Sequence, residues 1–550
     1  MKLKVLSLLL LASATLQAQQ PPPQPTPNTP THDDTLRGPY GPFRANNDLL
    51  YYHLDIRVDP VQKTLRGHNL IRFRMLHEGS RIQLELIPTL GIDGITLGHT
   101  DLKYTRDSGT VYVDFPQPLQ AGHTYTIDFR YSGSPQETGR FGCFTFKQDP
   151  SGHPWINTAC EETGASVWWP NKDQWRDEPQ DGMDISVAVP NALTNVSNGR
   201  FVRKVDLHDG YTRWDYRVHY PINNYDVSLN IGNYVHFSGK HKDLTLDFYA
   251  LPEDLEKAKK QFAQADGMLD AFEHYFGEYP FKKDGYKLIQ VPYAGMEHQS
   301  AVTYGNHFAN GYLDRDWTGV GISTRFDFII IHESGHEWFG NAITAADRSD
   351  MWIHEGWTTY LELLYVEYHY GHADATKYAN GLKPKVRNRA PIIPARNLNI
   401  SPPQDMYFKG ALFLNTLRSV LDSTENDDDK KWFALIHDFY QHFKYQTIMT
   451  EDVIAYFNQQ TGQDFTPLFN EYLRHAALPT LDLTFNPEQG TVTYQWIADE
   501  PAFAMPIRVG TPGRWQLIHP TTQAQTMKTD LAADTFTADT DNFYVNLNKH

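Results

Sequence analysis

The chain has 550 residues, 40% hydrophobic and 13% aromatic, which is the profile of a globular protein with room for about two to four domains. Its formal net charge is −17 and no basic cluster stands out, so nucleic acid and anionic membrane surfaces are excluded as expected partners. There are only two cysteines, and neither supports a cysteine nucleophile or a cysteine-based metal site.

In chain order, Lys2 and Lys4 precede an apolar run from Val5 to Leu16. That run has signal-peptide length and is too short to span a bilayer. Leu16-Gln17-Ala18 is a plausible cleavage site, so residues 1–18 are expected to be removed and the protein exported, to a periplasm or beyond the cell. Residues 19–46 open Pro-, Gln- and Thr-rich and are expected to form an extended tether. Short alternating runs at 54–58, 70–74, 111–115 and 125–130, separated by turn residues, predict an all-β domain over 47–250. Within it, Cys143 and Cys160 flank the turn signal Asp149-Pro150-Ser151-Gly152. A hairpin there would bring the thiols together, as a disulfide if exported; two buried free thiols fit equally.

Near residue 252 the period changes. Residues 253–276 carry helical spacing, with Leu255, Ala258, Phe262, Met268, Leu269 and Phe272 on one side. A strand is expected over 286–292, and helices then run to about 473 within a catalytic domain at 251–478. From Leu481 short strands return, predicting a C-terminal β domain over 479–550. The acidic run from Glu425 lacks the spacing of a calcium loop and reads as a solvated helix start. No later segment has the length and apolarity of a transmembrane helix.

The chemistry concentrates at His332-Glu333-Ser334-Gly335-His336, with Glu355 nineteen positions after His336. Positions i and i+4 share a helix face, so His332 and His336 can grip one ion. Two His and one Glu leave the fourth tetrahedral position open, the mark of a catalytic zinc. Glu333 lies beside that face and can deprotonate water. The bland reading is two surface histidines on an ordinary helix. Against it, residues 326–331 are strongly apolar, so the helix is buried and its polar groups need partners. Gly335 inside the helix suggests close packing, and residues 351–362 read as a second buried helix delivering Glu355.

Several separated motifs resemble one family, the gluzincin aminopeptidases, which include alanyl and leucyl aminopeptidases and leukotriene hydrolase. Besides the zinc motif, Ala294-Gly295-Met296-Glu297-His298 is similar to the family's Gly-x-Met-Glu-Asn exopeptidase motif. Tyr407-Phe408-Lys409-Gly410-Ala411 is similar to its Tyr-x-Lys-Gly segment, and Glu161, nine residues before Pro170, stands where the family places a second amine-binding acid. Three positions depart from the pattern: Ala294 and His298 at the ends of the exopeptidase motif, and Ala159 where a Gln is usual.

The resemblance implies an α+β multidomain fold: an N-terminal β saddle or sandwich, a thermolysin-like α/β catalytic domain and a small C-terminal β-sandwich. It also implies an aminopeptidase with one zinc per chain, held by His332, His336 and Glu355, acting on peptides with a free N-terminus. Glu333 is then the base and Tyr407 the donor to the tetrahedral oxygen. Glu297 and Glu161 bind the ammonium, with Gly295 and Met296 on a strand over 295–304 that pairs with the substrate backbone. Many members add a helical cap after the third domain; without one here, an open cleft is expected. A zinc endopeptidase, or a noncatalytic peptide-binding protein with a decayed site, are the rival readings. Oligomeric state is not encoded in any motif.

Overall fold

A computed structural model describes residues 30–422 and 429–550. The signal-peptide reading, the start of the tether and the acidic residues 425–428 lie outside the described residues. The part of the tether from residue 30 onward is corrected by the structure. His32–Arg37 and Pro42–Ala45 are short helices, the first opened by a capping box on Thr31. They are docked because the buried Arg44 guanidinium donates to Glu85 Oε1 at 2.6 Å, and Arg37 donates to Asp173 at 2.6 Å. Composition predicts solvation; these two long-range ion pairs override it.

The N-terminal region is β, as its alternating runs predict. Its largest sheet has eight strands. Asn47–Asp59 sits inside it, antiparallel to Thr64–Met75 and parallel to Met183–Pro190. Leu54, Ile56 and Val58 face the core and their neighbours do not, the period-two signature of a half-buried sheet. A four-stranded sheet beside it carries the hairpin Cys143–Gln148 and Pro154–Ala159, in which Cys143 pairs with Ala159. Cys143 and Cys160 are disulfide-bonded with their Cα atoms 4.4 Å apart, which settles the open alternative.

The sheet behind the site has five strands in the order Val235–His241, Leu244–Ala250, Tyr286–Gln290, Val302–Tyr304, Gly295–Met296. It therefore reaches upstream of residue 251, where the period changes. The helices that follow pack on it through one continuous core that extends into the C-terminal sheets, from Phe272 and Trp357 to Leu481 and Trp496. Those C-terminal sheets have four and three strands. Among the described residues, no helix is long and apolar enough to cross a membrane.

Candidate metal centre and amine pocket

The helix Phe328–Gly335 is buried along its whole length. Its N-terminus is capped by Asp327, whose Oδ1 accepts from Ile329 N at 3.1 Å and Ile330 N at 3.3 Å. His336 keeps helical dihedrals just past the helix end, so both imidazoles share one face. The chain then breaks at Phe339 and Gly340, the latter at φ 127°. That positive φ suits glycine, and it turns the Phe339 carbonyl back to accept from His336 Nδ1 at 3.0 Å. The Thr358 hydroxyl donates to the same carbonyl at 3.1 Å.

His332 Nδ1 bonds Glu362 Oε1 at 2.7 Å, and Tyr378 donates to the other Glu362 oxygen at 2.6 Å. Each ring thus spends its Nδ1 hydrogen outward and turns Nε2 inward, as partners behind metal-binding histidines do. Glu362 carries no motif. Its one signal in the sequence is its place two turns after Glu355 on the same helix, Trp352–Tyr370.

Glu355 reaches the imidazoles because helices cross closely. Gly335 faces Thr358, and a Cβ added there would stand 3.1 Å from Thr358 Cγ2. Gly356 meets Gly410 of the helix Asp405–Leu421 so tightly that a Cβ on Gly410 would lie 2.9 Å from Gly356 Cα. His332 Nε2 and His336 Nε2 stand 3.3 Å apart, and Glu355 Oε2 is 3.4 Å and 3.3 Å from them. Tetrahedral zinc with bonds of about 2.0–2.1 Å spaces its ligand atoms by about 3.3–3.4 Å, so the triangle fits one face of such a site. Glu355 Oε2 is buried with no hydrogen-bond partner. Burial would raise its pKa, but His336 and His332 outweigh that and hold the carboxyl well below the usual range. The residues present fit a zinc ion.

Glu333 lies against the edge strand. A Cβ on Gly295 would stand 2.9 Å from Glu333 Cγ, so this strand can approach only without a side chain. Burial pushes the Glu333 carboxyl up, with both imidazoles opposing. The Tyr407 ring is 6.0 Å from that of His332. Burial, and then the nearby Glu355 carboxylate, raise the phenol far above its usual range, so it remains a donor. Lys409, from the same motif, points elsewhere: its Nζ donates to His475 O at 2.9 Å and Ala476 O at 3.0 Å, capping a helix end.

The expected strand over 295–304 is corrected to a hairpin. Gly295–Met296 pairs antiparallel with Val302–Tyr304, and the turn between them carries Glu297. Ser300, at φ 56°, donates its N–H to the buried Glu337 Oε1 at 2.7 Å, which holds the turn. Ligand atoms of Glu297, Glu333 and His336 lie within 4.8 Å of one another. Glu161 follows the disulfide directly, in a turn rather than on a strand. Its backbone carbonyl accepts from the buried Arg348. Oε1 of Glu297 and Oε1 of Glu161 are both buried without a partner. Burial, and then Glu355, push the Glu161 carboxyl up to about 8. Burial, and then Glu161, push Glu297 well up.

All nine residues singled out from the sequence line one cavity of about 270 Å³. Sequence reasoning missed several of its other walls, among them Arg140, Phe141, Tyr312, Trp317 and Phe328, which belong to no motif. A larger cleft of about 950 Å³ adjoins it, sharing Arg140, Phe141, Ala294 and Tyr312.

Two imidazoles and a carboxylate from crossing helices, in an α+β multidomain fold, define the gluzincin class of metallopeptidase. Residues 261–472 match the Peptidase family M1 domain and residues 49–225 the Peptidase M1 N-terminal domain. The chain belongs to peptidase family M1, and membership implies zinc as its metal. Endoplasmic reticulum aminopeptidase 1 of Mus musculus is 25% identical over 361 residues, covering 61% of this chain and 37% of that protein. Aminopeptidase B of Rattus norvegicus is 24% identical over 501 residues, covering 80% of this chain and 71% of that one. In fold, the M1 zinc metallopeptidase of Deinococcus radiodurans is similar at a TM-score of 0.64 and 20% identity, covering 79% of this chain and 94% of that one. The chain spans little more than a third of the length of the mouse protein.

Proposed function

We propose that this protein is an aminopeptidase that removes the first residue of peptides with one zinc ion per chain, held by His332, His336 and Glu355. One observation carries the reading: two buried carboxylates, Glu161 and Glu297, each keep an oxygen without a partner beside the metal triad. Like charges crowded in a desolvated pocket stay ionised together only with a cation beside them, and a free N-terminus supplies one. The names of the aminopeptidase relatives, and an M1 metallopeptidase mutant of D. radiodurans solved with a Tyr-Ser-Ala substrate, point the same way.

When bound, zinc polarises a peptide carbonyl and makes water a competent nucleophile near neutral pH. Glu333 accepts the proton of the attacking water and returns it to the leaving amine. The Tyr407 hydroxyl donates to the oxygen that turns negative on attack. Glu297 and Glu161 fix the ammonium, so the first peptide bond falls at the triad. The edge strand Gly295–Met296 offers its backbone to the substrate chain. The Cys143–Cys160 disulfide suits an exported protein.

The test compares a peptide with its N-acetylated form, with and without a zinc chelator. Chelator-sensitive release of the first residue from the free peptide alone is expected. Preferential cleavage of the blocked peptide would instead show an endopeptidase, and no cleavage of either would show a binding protein.

A further inference from the structure

Glu297 and Glu333 gather at His336, so the ammonium is held on that imidazole's side of the triad. On the other imidazole's side the cavity is walled by a connected set of rings. Phe328 stacks on His332 with centroids 5.3 Å apart and planes within 14°. Tyr312 lies 5.4 Å from Phe328 and 5.0 Å from Trp317. Trp317 lies 5.8 Å from Phe328 and 5.8 Å from Phe408. Tyr312, Trp317 and Phe408 are only half-buried, and all four rings line the cavity. A core cluster would close on itself; this one leaves a concave apolar wall.

The wall is pre-formed. Tyr312 and Trp317 stand on a loop tied at both ends: Asn306 Nδ2 donates to Gly311 O at 2.7 Å and Asp327 Oδ1 at 2.8 Å, and Trp317 N donates to Ser323 Oγ at 2.8 Å. Lys385 Nζ sits 4.2 Å from the Trp317 ring centre and already covers one of its faces.

A peptide has direction. With its ammonium at Glu161 and Glu297 and its first carbonyl at the triad, the next Cα is about 3.8 Å beyond the first. We infer that the rings of Tyr312, Trp317, Phe328 and Phe408 form a subsite for the residue after the cleaved bond, selecting a large apolar or aromatic side chain there. The rest of the peptide leaves through the larger cleft, which shares Tyr312 and Ala294 with the cavity. This inference rests on the aminopeptidase reading.

The test fixes the first residue as the one released fastest from single aminoacyl reporters. It then varies the second residue in dipeptides among Phe, Leu, Ala and Ser, measuring kcat/KM for release of the first. Phe and Leu are expected to exceed Ala by about tenfold or more. In Trp317→Ala and in Phe408→Ala that ratio should fall toward one, and Trp317→Phe should keep it. Because the readout is a ratio within one protein, a partly folded variant does not mimic the effect. Brisk release with no second-residue preference, or a preference unchanged in both alanine variants, overturns the subsite and leaves the aminopeptidase reading standing. Release from reporters but from no dipeptide overturns the subsite, and release from neither overturns both.

Discussion

The two walls of the site treat their buried polar atoms in opposite ways. On the metal wall each histidine has a partner behind it: Glu362 and Tyr378 for His332, the Phe339 carbonyl and Thr358 for His336. On the amine wall, Glu161 and Glu297 each keep an oxygen with no partner; burial, and then Glu161, push the Glu297 carboxyl up, while burial, and then Glu355, push Glu161 up. Orienting partners fix a geometry in advance, as a metal with strict ligand distances requires. Uncompensated acids suit the role proposed for them, holding binding energy in reserve for a cation that arrives and leaves each turnover.

The largest effect expected is at the group between the walls. Glu333→Gln should lower kcat by roughly a hundred- to ten-thousand-fold, the usual range for a lost general base, with zinc content by metal analysis unchanged. Near-normal turnover would remove Glu333 from the chemistry. On the amine wall, Glu297→Gln should cost about 30-fold or more in kcat/KM, the scale of about 2 kcal/mol for a truncated buried charge partner. The preference for free over N-acetylated peptides should shrink with it while zinc stays bound. If that preference persists, the ammonium is held elsewhere. On the metal wall the reverse pattern is expected. Glu362→Gln should weaken zinc by about 10- to 100-fold in chelator competition and leave selectivity for free N-termini intact; unchanged metal affinity would break the contrast between the walls. The smallest functional effect belongs to Cys143→Ser with Cys160→Ser. Opening a cross-link between residues 17 apart in sequence removes about 3 kcal/mol of constraint on the unfolded chain, read as a lower unfolding temperature. Because Glu161 follows Cys160, KM should rise a few-fold with little change in kcat. A KM equal to that of the parent protein would show that Glu161 needs no such tether.

Much of the metal wall could be read from spacing alone. A four-residue interval places His332 and His336 on one helix face, and that geometry is local. The β runs from residue 54 onward were legible for the same reason, since alternation is a property of neighbours in sequence. What sequence reasoning missed is long-range. Glu362 takes its meaning from His332, 30 positions away. The docked segment after residue 30 depends on Glu85 and Asp173. The turn at Glu297 reads as continuous strand until the buried Glu337 accepts the Ser300 N–H. The aromatic wall is assembled from a loop and two helices, and no single stretch announces it. Tyr407 and Glu161 were found through resemblance, since nothing in their own neighbourhoods separates them from other tyrosines and acids.

The contact between Gly356 and Gly410 sets how far the phenol of one helix stands from the carboxylate of the next. With no Cβ on either side, the clearance is the thickness of bare main chain. A single methyl group at Gly410 would act as a shim, tilting the Tyr407 helix outward while changing the identity of no reacting side chain. Displacements near 1 Å can cost about a hundredfold in rate, so the spacing of the reaction is controlled at a point where no chemistry occurs.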